Sequence, residues 1–217
     1  MEFGESVSTT RRYDSSARQE EARCRRTAIV AAAARLFIDD GYAETTIARV
    51  ANEAGVSPQL VYAAFGNKAG LLAGVLDQMA GGDDQEVLIR DRPEFLAMSE
   101  ISDDRERVRA YARMAAEVNA RVGALQVLLD RAAINDPAVA ELRDKMVAAM
   151  REDHRVYVNR LAAGMRPDLG PERVAEVARV VTGHQVWHGF VVDGGWSQQQ
   201  YVDWLGDALI RLLVLTA

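Results

Sequence analysis

Two short apolar segments separated by Ala54-Gly55-Val56-Ser57-Pro58 constrain this chain more than any other feature. Ser57 offers an N-cap hydroxyl, and Pro58 falls at the first position of a helix, where its missing N–H costs nothing. Gly55 can take a positive φ, which a residue with a Cβ adopts only at a cost. Upstream, Ile47, Val50 and Ala51 share one helical face. Downstream, Leu60, Val61 and Ala64 do the same, with Phe65 at the end. Alanine at 51 lets two helices cross closely, Val56 plugs the gap and Val61 packs the second helix on the first. Two short helices joined by a glycine turn make a helix-turn-helix. A plain helical hairpin explains the apolar residues, but not the short, polar-capped second helix that ends in Tyr62-Ala63-Ala64-Phe65.

The flanks extend the pattern. Ile29, Ala32, Ala33, Leu36 and Phe37 recur at helical spacing from about Arg25, and Gly41 reads as the stop. Thr45 then offers a cap for the segment at Ile47. Asn67 can cap a further helix with Leu71, Leu72, Val75 and Leu76 on one face. Residues 1–22 are polar and read as a flexible arm, 23–80 as the helix-turn-helix domain. Arg11, Arg12 and Arg18 of the arm can meet a DNA backbone or minor groove, or simply be solvated. Gly81-Gly82-Asp83-Asp84 marks the boundary of a larger helical domain, 81–217.

In that larger domain, helices are expected from Arg105 to about Arg131, from Pro137 to about Ala163, and from Pro171 through Val186. Gly194-Gly195 breaks the last of these, and Ser197 with Gln200 makes a capping box for a final helix. The expected fold is therefore all-α. A three-helix DNA-binding domain with a helix-turn-helix precedes a larger helical domain.

Charge narrows how DNA could be held. The net charge is −6, but residues 1–70 hold nine Lys/Arg against nine Asp/Glu. Phosphates must therefore be met by a few placed groups rather than by a basic field. One cysteine, Cys24, excludes an intramolecular disulfide and suits a reducing cytoplasm. No segment reads as a secretory signal, and no apolar run approaches the ~20 residues of a membrane span. The expected location is cytoplasmic. No nucleophile elbow, phosphate loop, dinucleotide fingerprint or H-E-x-x-H occurs, so an enzyme is not expected, and no cofactor is implied. His184 and His188 are four apart, but no third ligand has diagnostic spacing, and no metal site is assigned.

From Ile29 to Leu72 the chain resembles the N-terminal domain of the tetracycline-repressor (TetR) family. The stretches that carry the resemblance are Ala33-Ala34-Arg35-Leu36-Phe37, Gly41-Tyr42, Thr45-Thr46-Ile47, Val50-Ala51, Ala54-Gly55-Val56-Ser57, Val61-Tyr62, Phe65, Asn67-Lys68 and Leu71-Leu72. Gly195-Trp196-Ser197, Tyr201, Trp204-Leu205 and Leu209 look, more weakly, like the last helix of many members. The resemblance implies a homodimer on double-stranded DNA, reading an imperfect palindromic operator with one major-groove helix per subunit. It gives the larger domain the roles of ligand binding and dimerisation: the last two helices would pair with their twins, and a small-molecule effector, of unknown identity, would release the DNA. Repression is the default, with activation or DNA binding without ligand control as alternatives.

Roles follow by position. Tyr62 and Lys68 match the family's phosphate contacts, although Tyr62 can also be read as half-buried core. Thr45, Thr46 and Ser57 lie at helix starts, where free N–H groups favour phosphate, and simple capping can coexist with that. Arg49 points away from the apolar face. Base readout falls to Pro58, Gln59 and Ala63, with Gln59 suited to adenine. For the effector, polar or aromatic groups on apolar faces are candidates: Tyr111, Met114, Asn119, His154, Tyr157, Trp187 and His188. Each can equally be ordinary core or surface. Val174, Val177, Val181, Val186, Trp204, Leu205, Leu209 and Leu212 are the expected dimer face.

Overall fold

The computed structural model describes residues 9–82, 89–161 and 168–214, and every regular element among them is helical. The order is α1 (Thr9–Glu44), α2 (Ile47–Glu53), α3 (Pro58–Phe65), α4 (Lys68–Gly81), a 3-10 turn (Ile89–Asp91), α5 (Pro93–Met98), α6 (Asp104–Ala132), α7 (Pro137–Leu161), α8 (Gly170–Val181), α9 (His184–Trp187), a π-helical turn (His188–Asp193) and α10 (Gln198–Leu213).

Helix α1 starts well before its apolar stripe. Residues 17–25 are exposed, and the polar stretch is supported along its own surface by Arg23–Glu20 and Arg25–Glu21 pairs at helical spacing. Of the expected arm, residues 9–22 thus belong to α1, and 1–8 lie outside the described residues. Gly41 (φ 84°) interrupts the helix where the stop was expected.

Two apolar clusters organise the molecule. The first joins α1–α4 (Ile29, Phe37, Val50, Val61, Leu72 and Val75 among them) to Val122, Leu125 and Leu129 of α6 and Val139 of α7. The second joins Tyr111 and Ala112 of α6 to Tyr157 of α7, Val174 of α8, and Leu205 and Leu209 of α10. Helix α6 therefore spans both: its C-terminal half completes the core under the helix-turn-helix, and its N-terminal half carries the distal core. The head has no core of its own that is separable from α6.

Three expectations need correction here. The helix from Pro171 does not run on to Val186. It ends at Val181, and Thr182 turns its hydroxyl back to Ala178 O at 2.8 Å before α9 begins. Val174, Leu205 and Leu209 are 1%, 0% and 0% exposed inside the protomer's own core, so they are not free to form a subunit interface. The apolar periodicity identified a buried face correctly, but α10 turns that face onto α6. Thr45 is the third case: it is buried rather than at the surface.

Candidate nucleic-acid interface

The helix-turn-helix forms around three side chains with no exposure at all, Val50, Ala51 and Val61. Helices α2 and α3 meet at the alanine, and Gly55 holds φ +67° in the turn, the conformation its lack of a Cβ allows. Ser57 caps α3 by accepting from Leu60 N at 3.3 Å, and Pro58 occupies its first turn. Asn67 caps α4 through Gly70 N at 2.8 Å.

Burying Val61 directs the rest of α3 outward. Gln59, Tyr62, Ala63 and Ala64 are exposed, Tyr62 at 53%, and Pro58 is half-buried. Gln59, Tyr62 and Ala63, at i, i+3 and i+4, therefore share one solvent-facing strip. Tyr62 is not a core residue. Thr46 and Ser57 are exposed at the starts of α2 and α3, so hydroxyls and free N–H groups flank the strip.

Thr45 does not belong to this surface. It is 0% exposed, and its hydroxyl donates to Leu36 O at 3.1 Å and Gly41 O at 2.8 Å. The cap of α2 is Thr46, which accepts from Arg49 N at 3.2 Å. The reason is the end of α1: its last carbonyls have no intrahelical donors, and the buried hydroxyl supplies one. Thr45→Val, which keeps the shape, is expected to destabilise the protein by about 1–3 kcal/mol, because the buried Leu36 carbonyl and the part-buried Gly41 carbonyl lose the one O–H they share. Chemical denaturation against wild type measures this, and an unchanged midpoint would refute it.

Lys68 completes the same task. Its Nζ donates to Tyr42 O (2.8 Å) and Ala43 O (3.3 Å) and sits 4.2 Å from the Tyr42 ring centroid. An ammonium has three N–H donors, so one remains for a phosphate. Arg49 is half-exposed and ion-paired to Asp40 at 3.0 Å, and Arg35 pairs with Glu53. These carboxylates neutralise the cations around the reading face, as the balanced charge of the N-terminal segment requires. Asp40 and Glu53 were not singled out from sequence, since nothing local signals a pairing between α1 and α2.

Past Phe65, α3 turns tightly into α4. A Cβ built on Gly70 would lie 2.1 Å from Phe65 O, and one on Gly74 2.7 Å from the Phe65 ring. Arg26 of α1 also lies over that ring, 4.5 Å from its centroid. The reading helix is thus pressed onto α4 at its C-terminal end.

The candidate effector residues do not form one group. Tyr111, Asn119, His154 and Tyr157 converge near Thr182. Asn119 Nδ2 donates to Thr182 O at 2.8 Å, His154 Nε2 lies 3.2 Å from Thr182 Oγ1, and the Tyr111 hydroxyl meets the same threonine hydroxyl. Tyr111 and Tyr157 stack at 3.7 Å. Burial holds His154 below the usual imidazole range, although Met150 O, 2.7 Å from Nδ1, opposes that shift. Burial pushes both phenols up. The Tyr157 hydroxyl is buried with no hydrogen-bond partner. Trp187 stands apart, bonded to Gln198 Oε1 (3.1 Å) and packed on Gly123. His188 faces Asp193 at 3.3 Å, away from the cluster, and Met114 packs half-buried on the distal core. His184 turns instead to Asp130 at 2.9 Å, so the two histidines diverge.

A family model described as "Bacterial regulatory proteins, tetR family" matches residues 29–75, the segment from the stripe of α1 to α4. The likeness to the tetR family of bacterial regulatory proteins is thus shown for the helix-turn-helix segment. It is 41% identical over 63 residues to the HTH-type transcriptional regulator HbdR of Aromatoleum sp. (strain CIB), covering 29% of this chain and 28% of that protein. It is 33% identical over 87 residues to the HTH-type transcriptional repressor BdcR of Escherichia coli (strain K12), covering 39% of this chain and 43% of that one. The chain thus matches less than half the length of either relative. Beyond the head, the likeness is one of fold. A TetR-family structure from Rhodococcus sp. superposes with a TM-score of 0.67 at 20% identity, covering 87% of this chain and 98% of that one.

Proposed function

We propose that this protein is a DNA-binding transcriptional regulator of the tetR family that acts as a homodimer on a palindromic operator. On this reading it represses transcription and is released by a small-molecule effector. The observation that carries the reading is the outward strip of α3, Gln59, Tyr62 and Ala63, presented by a helix-turn-helix whose crossing residues are fully buried. Gln59 reads base edges. Tyr62, Lys68, Arg49, Thr46 and Ser57 meet phosphates, and Pro58 and Ala63 supply apolar contacts to thymine methyls. With one strong polar reader, part of the specificity falls to DNA shape. The repressor name of BdcR favours repression over activation.

The dimer face assigned here differs from the expected one: the buried Val174, Leu205 and Leu209 leave it, and Val180 joins it. Val180 (52% exposed) and Leu212 (41% exposed) remain open on α8 and α10, with Val177, Val181 and Trp204 half-buried beside them. A two-fold axis through this patch would bury it against its own copy. The effector site is the cluster around Thr182. The unpartnered Tyr157 hydroxyl calls for a ligand with a hydrogen-bond acceptor, since leaving a buried hydroxyl unsatisfied costs about 1–3 kcal/mol. No described helix is long and apolar enough to cross a membrane, and the site of action is proposed to be the cytoplasm.

Selection of bound sequences from random duplexes, at fixed near-physiological salt, tests the reading. Enrichment of a palindrome with half-sites about one helical turn apart supports a sequence-specific dimer. A folded protein that enriches nothing would contradict it.

A further inference from the structure

We propose that Arg121 of α6 sets the half-site spacing that the two reading heads accept, by fixing the pitch of α4. The inference rests on the dimeric operator reading above. Helix α4 is the last element of the head, and its final carbonyls have no intrahelical donors. Arg121 Nε–H donates to Met79 O at 3.0 Å, and its Nη2–H donates to Ala80 O at 2.8 Å. Two N–H groups in a rigid fork fix direction as well as distance, which a single ammonium cannot do.

The anchor behind the fork is firm. Val122, the next residue, is 1% exposed in the cluster that also holds Leu71, Leu72, Val75 and Leu76 of α4. The other end of α4 is held as well. Lys68 grips the carbonyls of Tyr42 and Ala43, and the Tyr42 hydroxyl lies against Asp136. Asp136 in turn caps α7 by accepting from Ala138 N at 2.9 Å. Helix α4 is therefore tied to α6 at its C-terminal end and, through Tyr42, to α7 at its N-terminal end. Because α3 is pressed onto α4 through Phe65, Gly70 and Gly74, the pitch of α4 is the pitch of the reading helix. Arg121 itself is exposed, so its loss removes the tie without opening the core.

The probes are the duplex selected by the wild-type protein, the same duplex with one or two base pairs inserted between half-sites, and a duplex with a single half-site. Wild type is expected to lose roughly tenfold or more in affinity on insertion, since half-site spacing mirrors protein geometry. Arg121→Gln and Arg121→Lys are expected to flatten that penalty to about threefold or less, with single-half-site affinity and thermal midpoint unchanged. Tyr42→Phe keeps the ring under Lys68, drops the tie to Asp136, and is expected to flatten the penalty in the same direction. If wild type discriminates spacing and both Arg121 variants do so equally, the inference fails while the operator reading stands. If wild type shows no spacing dependence at all, the operator reading fails, and this inference fails with it.

Discussion

Tyr62→Phe combined with Lys68→Ala is expected to weaken binding to operator and random DNA by a similar factor, roughly ten- to a hundredfold, as loss of one or two charge-assisted phosphate contacts implies. The dependence of log affinity on log salt should become shallower by about 0.9, the contribution of one neutralised phosphate on B-form DNA. The contrast is Gln59→Ala. It should leave random-DNA binding nearly unchanged and relax preference at one base position by about 1–3 kcal/mol. Binding measured on both duplexes at several salt concentrations separates the two patterns. Equal loss on operator and random DNA for Gln59→Ala would remove it as a base reader. Lys68 also holds the carbonyls of Tyr42 and Ala43, so the double variant needs a thermal scan beside it. Tyr62→Phe alone has no such second role, because the residue is exposed and forms no part of the core.

The second large effect is expected at Gly70. Gly70→Ala places a methyl group 2.1 Å from the Phe65 carbonyl oxygen, a backbone atom that cannot rotate away. The junction must open, at about 1–3 kcal/mol for an overpacked contact. For a chain of this size each kcal/mol lowers the melting temperature by roughly 2–4 °C. Two losses are expected together. Stability falls globally, because the head shares its core with α6 and α7. Operator affinity falls further than stability explains, because Phe65 ends the reading helix. Differential scanning calorimetry and operator binding on the same preparation measure both. Unchanged values of both would mean that the α3–α4 turn relaxes without cost.

The head was largely legible from sequence because its signals are local. Ser57, Asn67 and Ser197 cap helices through residues three positions on, and Gly55 turns a chain that Val50, Ala51 and Val61 close. The failures also have local causes. Thr45 and Thr46 are chemically identical neighbours. Which of them caps α2 depends on which faces the open carbonyls of α1, and only the packed turn shows that. The run from Val174 to Val186 has unbroken helical periodicity, so the break at Thr182–Gly183 carries no apolar signature. It coincides with His184 turning to Asp130 and Thr182 joining the buried polar cluster. For α10, periodicity showed which face is buried but not whether a subunit or α6 covers it, since both present the same apolar surface.

By itself the sequence determined the apolar faces of the head's helices, the caps of α3 and α4, the turn between α2 and α3, and the outward strip of α3, because each depends on residues within a few positions of one another. Only the tertiary structure decided that α6 completes the head's core, that Leu205 and Leu209 face inward, and that Arg121 grips α4. Those contacts join residues far apart in the chain, Arg121 and Met79 being 42 positions apart. Backbone propensity and periodicity act over a few turns, so neither specifies which distant partner a buried face or a charged group will meet.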